Sequence, residues 1–222
     1  MLQEMTYPKT YYISQGKESE EHLEHIKNVC ESGCKLVQLR LKEVEEAEYI
    51  QITRAALEIC EAHDALLIVN DKIRVVLQSG AHGVHLGKED ASPLEARKLL
   101  PEGSIIGGTA NNLEDCKKLL AQNVDYIGLG PFRFTETKSN LSPVISLNEY
   151  ADICAYVKAN SFNIPVYAIG GIVKEDVPYI VEEGVHGIAM SGALSTGNLV
   201  ELSQIIEFCE SIDATPKNEN SI

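Results

Sequence analysis

The stretch ESGCKLVQLR (31–40) ends a helix-like segment at a glycine and continues as a short apolar run. The same order returns in QSGAHGVHLG (78–87), AQNVDYIGLG (121–130) and EEGVHGIAMSG (182–192). A glycine or asparagine at this point is typical of the left-handed residue that follows a helix, and the apolar runs have the length of strands. The repeated junction therefore predicts a parallel α/β fold. Its junction residues are Gly33, Gly80, Asn123 and Gly184.

Four more apolar segments complete the pattern, and helix-like stretches separate all eight. These further strands are predicted at 10–14, 66–70, 104–108 and 165–170. Strands alternating with helices in this number favour a (β/α)₈ TIM barrel, with a doubly wound open sheet as the alternative. No linker or change in composition divides the chain. We therefore expect a single domain over 1–212 and a polar, frayed tail over 213–222.

The composition excludes several classes of partner. The chain has 222 residues, with 19 Lys and Arg against 33 Asp and Glu, a net charge of −14. Because phosphate polyanions attract basic surfaces, we expect no nucleic-acid partner. No apolar run approaches the roughly 18 residues of a membrane span, so we expect no membrane partner either. The six cysteines contain no C-x-x-C pair, which predicts reduced core thiols and a cytoplasmic location. A homo-oligomer is compatible with the sequence.

The second predicted strand ends in alternating polar and apolar residues. In QLRLK (38–42), alternation places Gln38, Arg40 and Lys42 on one side and two leucines on the other. Two cations inside a barrel mouth are costly without an anion. This strand end therefore predicts a clamp for a phosphate or pyrophosphate, with a solvated strand end as the alternative.

Carboxylates follow the next two predicted strands. Asp71 follows the third strand, and Asp90 lies a few residues after the fourth. Because the carboxyl ends of parallel strands meet at one end of a barrel, we expect the pair to lie beside the clamp. Hard carboxylate oxygens there favour Mg²⁺ bridging a pyrophosphate. Asp71 taken alone could instead cap a helix, and His85 is interpreted as a satisfied wall residue rather than a ligand.

The later strand ends carry glycines and hydroxyl groups. The fifth strand runs into GGTAN (107–111), where glycines let a backbone approach a ligand, with a plain turn as the alternative. The sixth runs into the longest non-helical stretch, 128–143, whose length favours a functional loop over a solvent loop. Glycines after the seventh and eighth strands match a backbone phosphate cradle. The candidate anion contacts in these segments are Thr135, Thr137, Lys138, Gly170, Gly171, Ser191 and Gly192.

Two anion sites in one mouth suit an enzyme that joins a pyrophosphate ester to a phosphorylated acceptor. Taken in order, QLRLK, VND, GVHLGKED, GLGPFRFTETK and AIGGI resemble signature segments of the thiamine phosphate synthase family, over nearly the whole chain. The resemblance implies a transferase of thiamine biosynthesis. Its substrates are hydroxymethylpyrimidine diphosphate and thiazole phosphate, and its products are thiamine phosphate and pyrophosphate. The reaction is dissociative and Mg²⁺-assisted, so the protein supplies charge neutralisation and positioning.

The resemblance also implies a role for each matching residue. Asp71 and Asp90 match the Mg²⁺ ligands. Arg40, Lys42 and Lys138 match residues at the diphosphate, which makes them the candidate catalytic cations. The thiazole phosphate contacts are matched by Thr135, Thr137, Gly171, Ser191 and Gly192. The remaining contacts to the pyrimidine diphosphate are matched by Gln38, Asn70 and Thr109, the last standing where the family usually has Ser.

Some positions depart from the family pattern. Asn111 stands where the family usually has His, Phe132-Arg133-Phe134 is bulkier than usual, and Ser191-Gly192 replaces an apolar-Ser pair. Another phosphate-binding barrel isomerase remains an alternative, and two further alternatives lie closer to the family. One is the thiazole tautomerase branch of the same superfamily, which relies on that His; Asn111 cannot shuttle a proton at neutral pH. The other is a non-catalytic binder of phosphorylated thiamine precursors.

Overall fold

Each strand pairs in parallel with the strand before and the strand after it in the chain, and the last closes onto the first. The computed structural model describes residues 6–42, 44–134, 143–160 and 163–212. Closure is made by pairing Thr10 with Ile188. This closed barrel confirms the TIM-barrel prediction over the open sheet. The strands are β1 Thr10–Ile13, β2 Leu36–Leu39, β3 Leu66–Asn70, β4 Gly83–Leu86, β5 Ile105–Ala110, β6 Tyr126–Leu129, β7 Val166–Ile169 and β8 Gly187–Met190.

Helices follow the strands and form the outer layer. The predicted helical stretch after β7 is a 3₁₀ turn at Lys174–Asp176 followed by a short helix, and a one-turn helix after β8 was not predicted. No helix in the described part of the chain is long and apolar enough to cross a membrane. The helices are α1 Ser19–Glu31, α2 Glu46–Ala62, α3 Ile73–Ser79, α4 Pro93–Leu99, α5 Leu113–Ala121, α6 Leu147–Ala159, α7 Val177–Glu182, α8 Gly192–Ser195 and α9 Leu199–Ser211.

The four helix-to-strand junctions have the predicted backbone. Gly33 has φ of 103°, and Asn123, the one junction residue with a side chain, has φ of 55°. Glycine reaches this left-handed region without steric cost, and asparagine tolerates it better than most residues. Each junction therefore turns the chain from a helix into the next strand, as the repeated sequence pattern predicts.

Alternation along the strands divides the core into two layers. Residues facing the helices form a large apolar cluster, which includes Tyr12 and Val37. All six cysteines are buried and free, as predicted for reduced thiols. The residues facing inward fill the barrel and include three tyrosines, so the interior is packed rather than open. The inner cluster consists of Tyr11, Ile13, Leu36, Ile68, Ile105, Tyr126, Tyr167 and Ala189.

The glycines of the fifth strand have a different purpose from the predicted one. β5 continues to Ala110, so Gly107 and Gly108 lie inside the strand rather than in a turn or ligand loop. A Cβ on Gly107 would lie 2.0 Å from the Tyr126 ring, and one on Gly108 would lie 2.5 Å from Leu119. The interpretation of these glycines as space for a ligand is therefore wrong. They make room for an inner tyrosine and a helix leucine.

Candidate active site

Two acidic side chains meet at the carboxyl ends of β3 and β4. Asp71 follows β3 directly in the left-handed region, with φ of 63°, and its N–H donates to the carbonyl of His85 at 2.9 Å. Asp90 is drawn back toward the end of β4, since its Oδ2 accepts a hydrogen bond from the Gly87 N–H at 2.8 Å. The N-cap of α3 is Lys72, so Asp71 does not cap that helix and the alternative reading of it is wrong.

The carboxyl groups of Asp71 and Asp90 are close enough to interact. Burial, followed by this contact and by repulsion from Asp90, raises the pKa of Asp71 to about 6, while nearby Arg40 and Lys72 act in the opposite direction. A cation between two carboxylates relieves such repulsion. Their hard oxygens suit Mg²⁺, which binds through one or two carboxylates and completes its shell with phosphate oxygens and water. In the described ranges no set of three acidic, His or Cys side chains forms a fuller metal site.

The end of β2 divides into a buried and an open part. Gln38 is only 2% exposed, and its Nε2 donates to the Tyr11 hydroxyl at 2.7 Å. Arg40 is half-buried, with its N–H donating to Ser14 Oγ at 3.0 Å and its guanidinium near enough to Asp71 to lower that carboxyl's pKa. Lys42 lies beyond the strand and is exposed. At this strand end Arg40 and Lys42 therefore offer cationic heads to the mouth, whereas Gln38 is bonded inside the barrel.

His85 on β4 connects the barrel interior to the mouth. Its Nδ1 lies 3.0 Å from the Tyr126 hydroxyl, and its Nε2 lies 2.9 Å from the hydroxyl of Thr109 on β5. Both nitrogens have partners, which confirms the interpretation of His85 as a satisfied wall residue. Sequence analysis missed Tyr126 and Tyr11, because their partners are far away in the chain and no local pattern marks them.

The segments after β6 and β7 are joined by an ion pair. Arg133 makes a bidentate contact with Asp176 at the end of the 3₁₀ turn, with Nη2 2.6 Å from Oδ1. Its N–H also donates to the carbonyl of Gly170 at 2.9 Å, and its Nη1 donates to that of Gly171 at 3.1 Å. We call this arrangement the Arg133–Asp176 clasp. It fixes both glycines of the predicted phosphate cradle, although the sequence pattern presented Arg133 only as a bulky departure.

Packing also requires a glycine at position 170. Gly170 and Gly171 have φ of 104° and 63°. A Cβ on Gly170 would lie 2.8 Å from Pro131. The residue is therefore glycine because the loop after β6 packs directly against it. Its part in phosphate binding stays a prediction.

The end of β8 lies against the loop after β1. Ser191 Oγ donates to the Gln15 side-chain oxygen at 3.1 Å, and Gly192 begins α8. A Cβ on Gly192 would find its nearest neighbour, Gln15 Nε2, at 3.8 Å, so this backbone is open. Gln15 was missed by the sequence analysis. It reaches the candidate cradle because β1 and β8 are neighbours in the closed barrel.

The remaining predicted residues lie at the ends of β3 and β5 or outside the described part of the chain. Asn70 ends β3 beside Asp71. Asn111 donates from Nδ2 to the carbonyl of Gly130, and its N–H donates to Asp115 at 3.0 Å, so it ties neighbouring strand ends together. Three predicted contacts lie outside the described residues: Thr135, Thr137 and Lys138.

Known proteins resemble this chain over most of its length. Residues 10–194 match the thiamine monophosphate synthase family. The thiamine-phosphate synthase of Bacteroides fragilis is 46% identical over 183 residues, covering 82% of this chain and 90% of that protein. That of Flavobacterium psychrophilum is 43% identical over 189 residues, covering 85% and 92%. The solved thiamine phosphate pyrophosphorylase from Pyrococcus furiosus has a TM-score of 0.77 at 30% identity, covering 90% of this chain and 95% of that one. The chain belongs to the thiamine monophosphate synthase family.

Proposed function

We propose that this chain is a thiamine-phosphate synthase, a transferase that joins hydroxymethylpyrimidine diphosphate to thiazole phosphate. Its products are thiamine phosphate and pyrophosphate. Family membership supports the activity. The observation that carries the site is the close pair of Asp71 and Asp90 beside Arg40 at the barrel mouth. Mixed charges of this kind suit a diphosphate and its metal rather than a neutral ligand.

The proposed chemistry breaks one bond and forms one. The bond between the exocyclic carbon of the pyrimidine and the diphosphate oxygen breaks, and its electron pair leaves with pyrophosphate. The thiazole nitrogen then donates its lone pair to that carbon. Neither step requires a protein nucleophile, so the protein contributes positioning and charge stabilisation.

Charge on the departing pyrophosphate is the main quantity that the site must balance. Arg40, Lys42 and Lys138 supply positive charge around it, in the role that their family resemblance implies. Mg²⁺ held by Asp71 and Asp90 would supply further neutralisation of the leaving group. The carboxylate pair, the half-buried Arg40 and the exposed Lys42 support this assignment.

The two organic substrates are assigned to different parts of the mouth. Gln38, Asn70 and Thr109, on β2, β3 and β5, are proposed for the pyrimidine. Thiazole phosphate is proposed for the side formed after β7 and β8, where the clasp fixes Gly171 and where the backbone at Gly192 is open. Ser191 and Gly170 belong to the same side, and Thr135 and Thr137 are added from the family resemblance.

A two-substrate assay tests the activity. Purified chain is incubated with both substrates and Mg²⁺, and pyrophosphate and thiamine phosphate are measured. We expect equal amounts of both products, and none when either substrate is omitted or when EDTA is present. Isomerisation of the thiazole without metal and without pyrophosphate release would support a tautomerase instead. Thermal stabilisation by the substrates with no product would indicate a binder.

A further inference from the structure

We propose that a buried hydrogen-bond chain through Gln38, Tyr11, Tyr126, His85 and Thr109 sets the hydrogen-bonding polarity of the pyrimidine site. Tyr11, Tyr126 and His85 are then positioning residues, which act through Gln38 and Thr109. The assignment of those two residues to the pyrimidine rests on the proposed function. The hydrogen-bond path itself rests on contacts within the barrel.

The hydrogen-bond path is continuous from Gln38 on β2 to Thr109 on β5. Gln38 Nε2 lies 2.7 Å from the Tyr11 hydroxyl, which lies 2.7 Å from the Tyr126 hydroxyl. Tyr126 lies 3.0 Å from His85 Nδ1, and His85 Nε2 lies 2.9 Å from Thr109 Oγ1. Every distance falls within the usual hydrogen-bonding range. The five side chains therefore form one connected path beneath the mouth.

The middle of the path is shielded from water. Tyr11 and Tyr126 are 1% and 0% exposed, and His85 is 6% exposed. Burial raises the pKa of both phenols, so each keeps its single proton at neutral pH. Glycines leave the space that the rings occupy, since a Cβ on Gly107 would lie 2.0 Å from Tyr126 and one on Gly128 would lie 3.1 Å from His85.

One donor at the start determines the direction of every later bond. Gln38 donates to Tyr11, so the only Tyr11 hydroxyl hydrogen points to Tyr126. Tyr126 accepts that bond and donates its own hydrogen to His85 Nδ1. The His85 ring then carries its proton on Nε2 and donates to Thr109. A ring protonated on both nitrogens would donate from Nδ1 to Tyr126 and leave one of the two phenol hydrogens in the path without a partner.

The direction of these hydrogen bonds determines which donor and acceptor groups Gln38 and Thr109, at the two ends of the path, can offer a ligand. The Thr109 oxygen accepts from His85, which leaves its hydroxyl hydrogen as a donor. Gln38 uses an amide hydrogen inside, which leaves its carbonyl oxygen as an acceptor. A ring with an amino group beside a ring nitrogen presents the complementary donor and acceptor. The hydrogen-bond path therefore favours an aminopyrimidine over the corresponding oxo-pyrimidine, in which the positions of the donor and the acceptor are exchanged.

Tyr126→Phe tests the proposal because it removes one hydroxyl and keeps the ring that fills the space at Gly107. Nitrogen NMR of the histidine rings in the ligand-free protein gives the tautomer without any need for activity. We expect the Nε2–H tautomer of His85 in the unmodified protein and a mixture of tautomers in the variant. We also expect KM for the pyrimidine diphosphate to rise about five- to tenfold, the scale of one hydrogen bond, with KM for thiazole phosphate unchanged.

Tyr167→Phe is the matched control. Tyr167 is also buried in the inner cluster and packs edge-on against Tyr126, but its hydroxyl donates to the carbonyl of Pro8 outside the path. We expect it to leave the tautomer and both KM values unchanged. Tyr11→Phe, which cuts the path one link earlier, should repeat the effect of Tyr126→Phe and replaces it if that variant does not fold.

Three results would overturn the proposal. They are an Nδ1–H tautomer in the unmodified protein, no change of tautomer in the path variants, or equal KM effects from Tyr126→Phe and Tyr167→Phe. Failure of the proposed function is distinguishable, because it would abolish product formation in the unmodified protein and leave the NMR measurement intact.

Discussion

The carboxyl groups of Asp71 and Asp90 interact with each other at the neighbouring ends of β3 and β4. Burial and the second carboxyl together raise the pKa of Asp71, so the pair is unfavourable when both groups are ionised and no cation is present. Sites where the fold holds two like-charged side chains close together are commonly functional. The pair is therefore the point at which the proposed metal dependence can be tested.

Asp71→Asn should separate metal binding from folding. Removing one charge relieves the repulsion, so we expect the metal-free Tm to stay equal or rise. Mg²⁺ with pyrophosphate should stabilise the unmodified protein by about 2.7 kcal/mol at a hundred times Kd, and the variant should lose most of this stabilisation. Turnover at limiting Mg²⁺ should fall strongly. Thermal denaturation with and without Mg²⁺ and pyrophosphate measures the first effect, and pyrophosphate release measures the second.

Asp64→Asn provides the control for that experiment. Asp64 is also an aspartate in the left-handed region, with φ of 51°, but it is exposed in the turn before β3, at the other end of the barrel. We expect it to leave the metal-dependent stabilisation unchanged. Retention of the full stabilisation in Asp71→Asn would contradict the assignment of Asp71 as a ligand.

Lys138→Ala should slow the reaction, because the proposed function assigns its ammonium group to the charge of the departing pyrophosphate. We expect a loss of about 2–4 kcal/mol of transition-state stabilisation, the scale of one charge-stabilising contact. Steady-state kcat/KM for both substrates measures it. Lys158→Ala, at an exposed lysine in the last turn of α6, is the control and should have no effect. A rate for Lys138→Ala within about twofold of the unmodified protein would refute the role of Lys138.

The Arg133–Asp176 clasp should affect one substrate more than the other. Asp176→Asn removes the ion pair that holds Arg133 against the carbonyls of Gly170 and Gly171. We expect KM for thiazole phosphate to rise while KM for the pyrimidine diphosphate stays unchanged. The control is Asp125→Asn, which breaks the Arg97–Asp125 pair (2.6 Å) at the opposite end of the barrel and should alter neither KM. Equal effects of the two variants on KM would mean that the clasp has no special relation to the phosphate side.

The clasp also predicts a pH dependence of stability. The Arg133 guanidinium lowers the pKa of Asp176. Stability from a carboxylate with a lowered pKa is fully present above the unfolded-state pKa and is lost as the pH falls through the folded-state value. We therefore expect Asp176→Asn to lower Tm near neutral pH and to match the unmodified protein in strong acid. A Tm difference that stays constant across this range would exclude the ion pair as its source.

The sequence predicts the fold well because the decisive signals are local. Each helix-to-strand junction carries a left-handed residue, and strand boundaries agree with the structure within two residues. The meeting of Asp71 and Asp90 follows from the fold alone, since neighbouring parallel strands end on the same side. By contrast, α8 is only one turn long, which is too short for a helical period to show.

What the sequence could not predict depends on contacts between distant residues. Tyr11 and Tyr126 are 115 positions apart, and only closure of the barrel brings their hydroxyls together. Gly107 and Gly108 look like a ligand loop in the sequence, because nothing local reveals that Tyr126 and Leu119 occupy the space. In the sequence, Arg133 is only a bulky departure from the family pattern, because its contact with Asp176 depends on the fold.

A crystal grown with Mn²⁺ in place of Mg²⁺ and with pyrophosphate tests the central claim most directly, because anomalous scattering locates the cation. The account predicts one strong peak between the Asp71 and Asp90 carboxylates, in contact with pyrophosphate oxygens and with Arg40 on the other side of the anion. A bound pyrophosphate with no cation between these carboxylates, or with the two side chains turned apart, would contradict it.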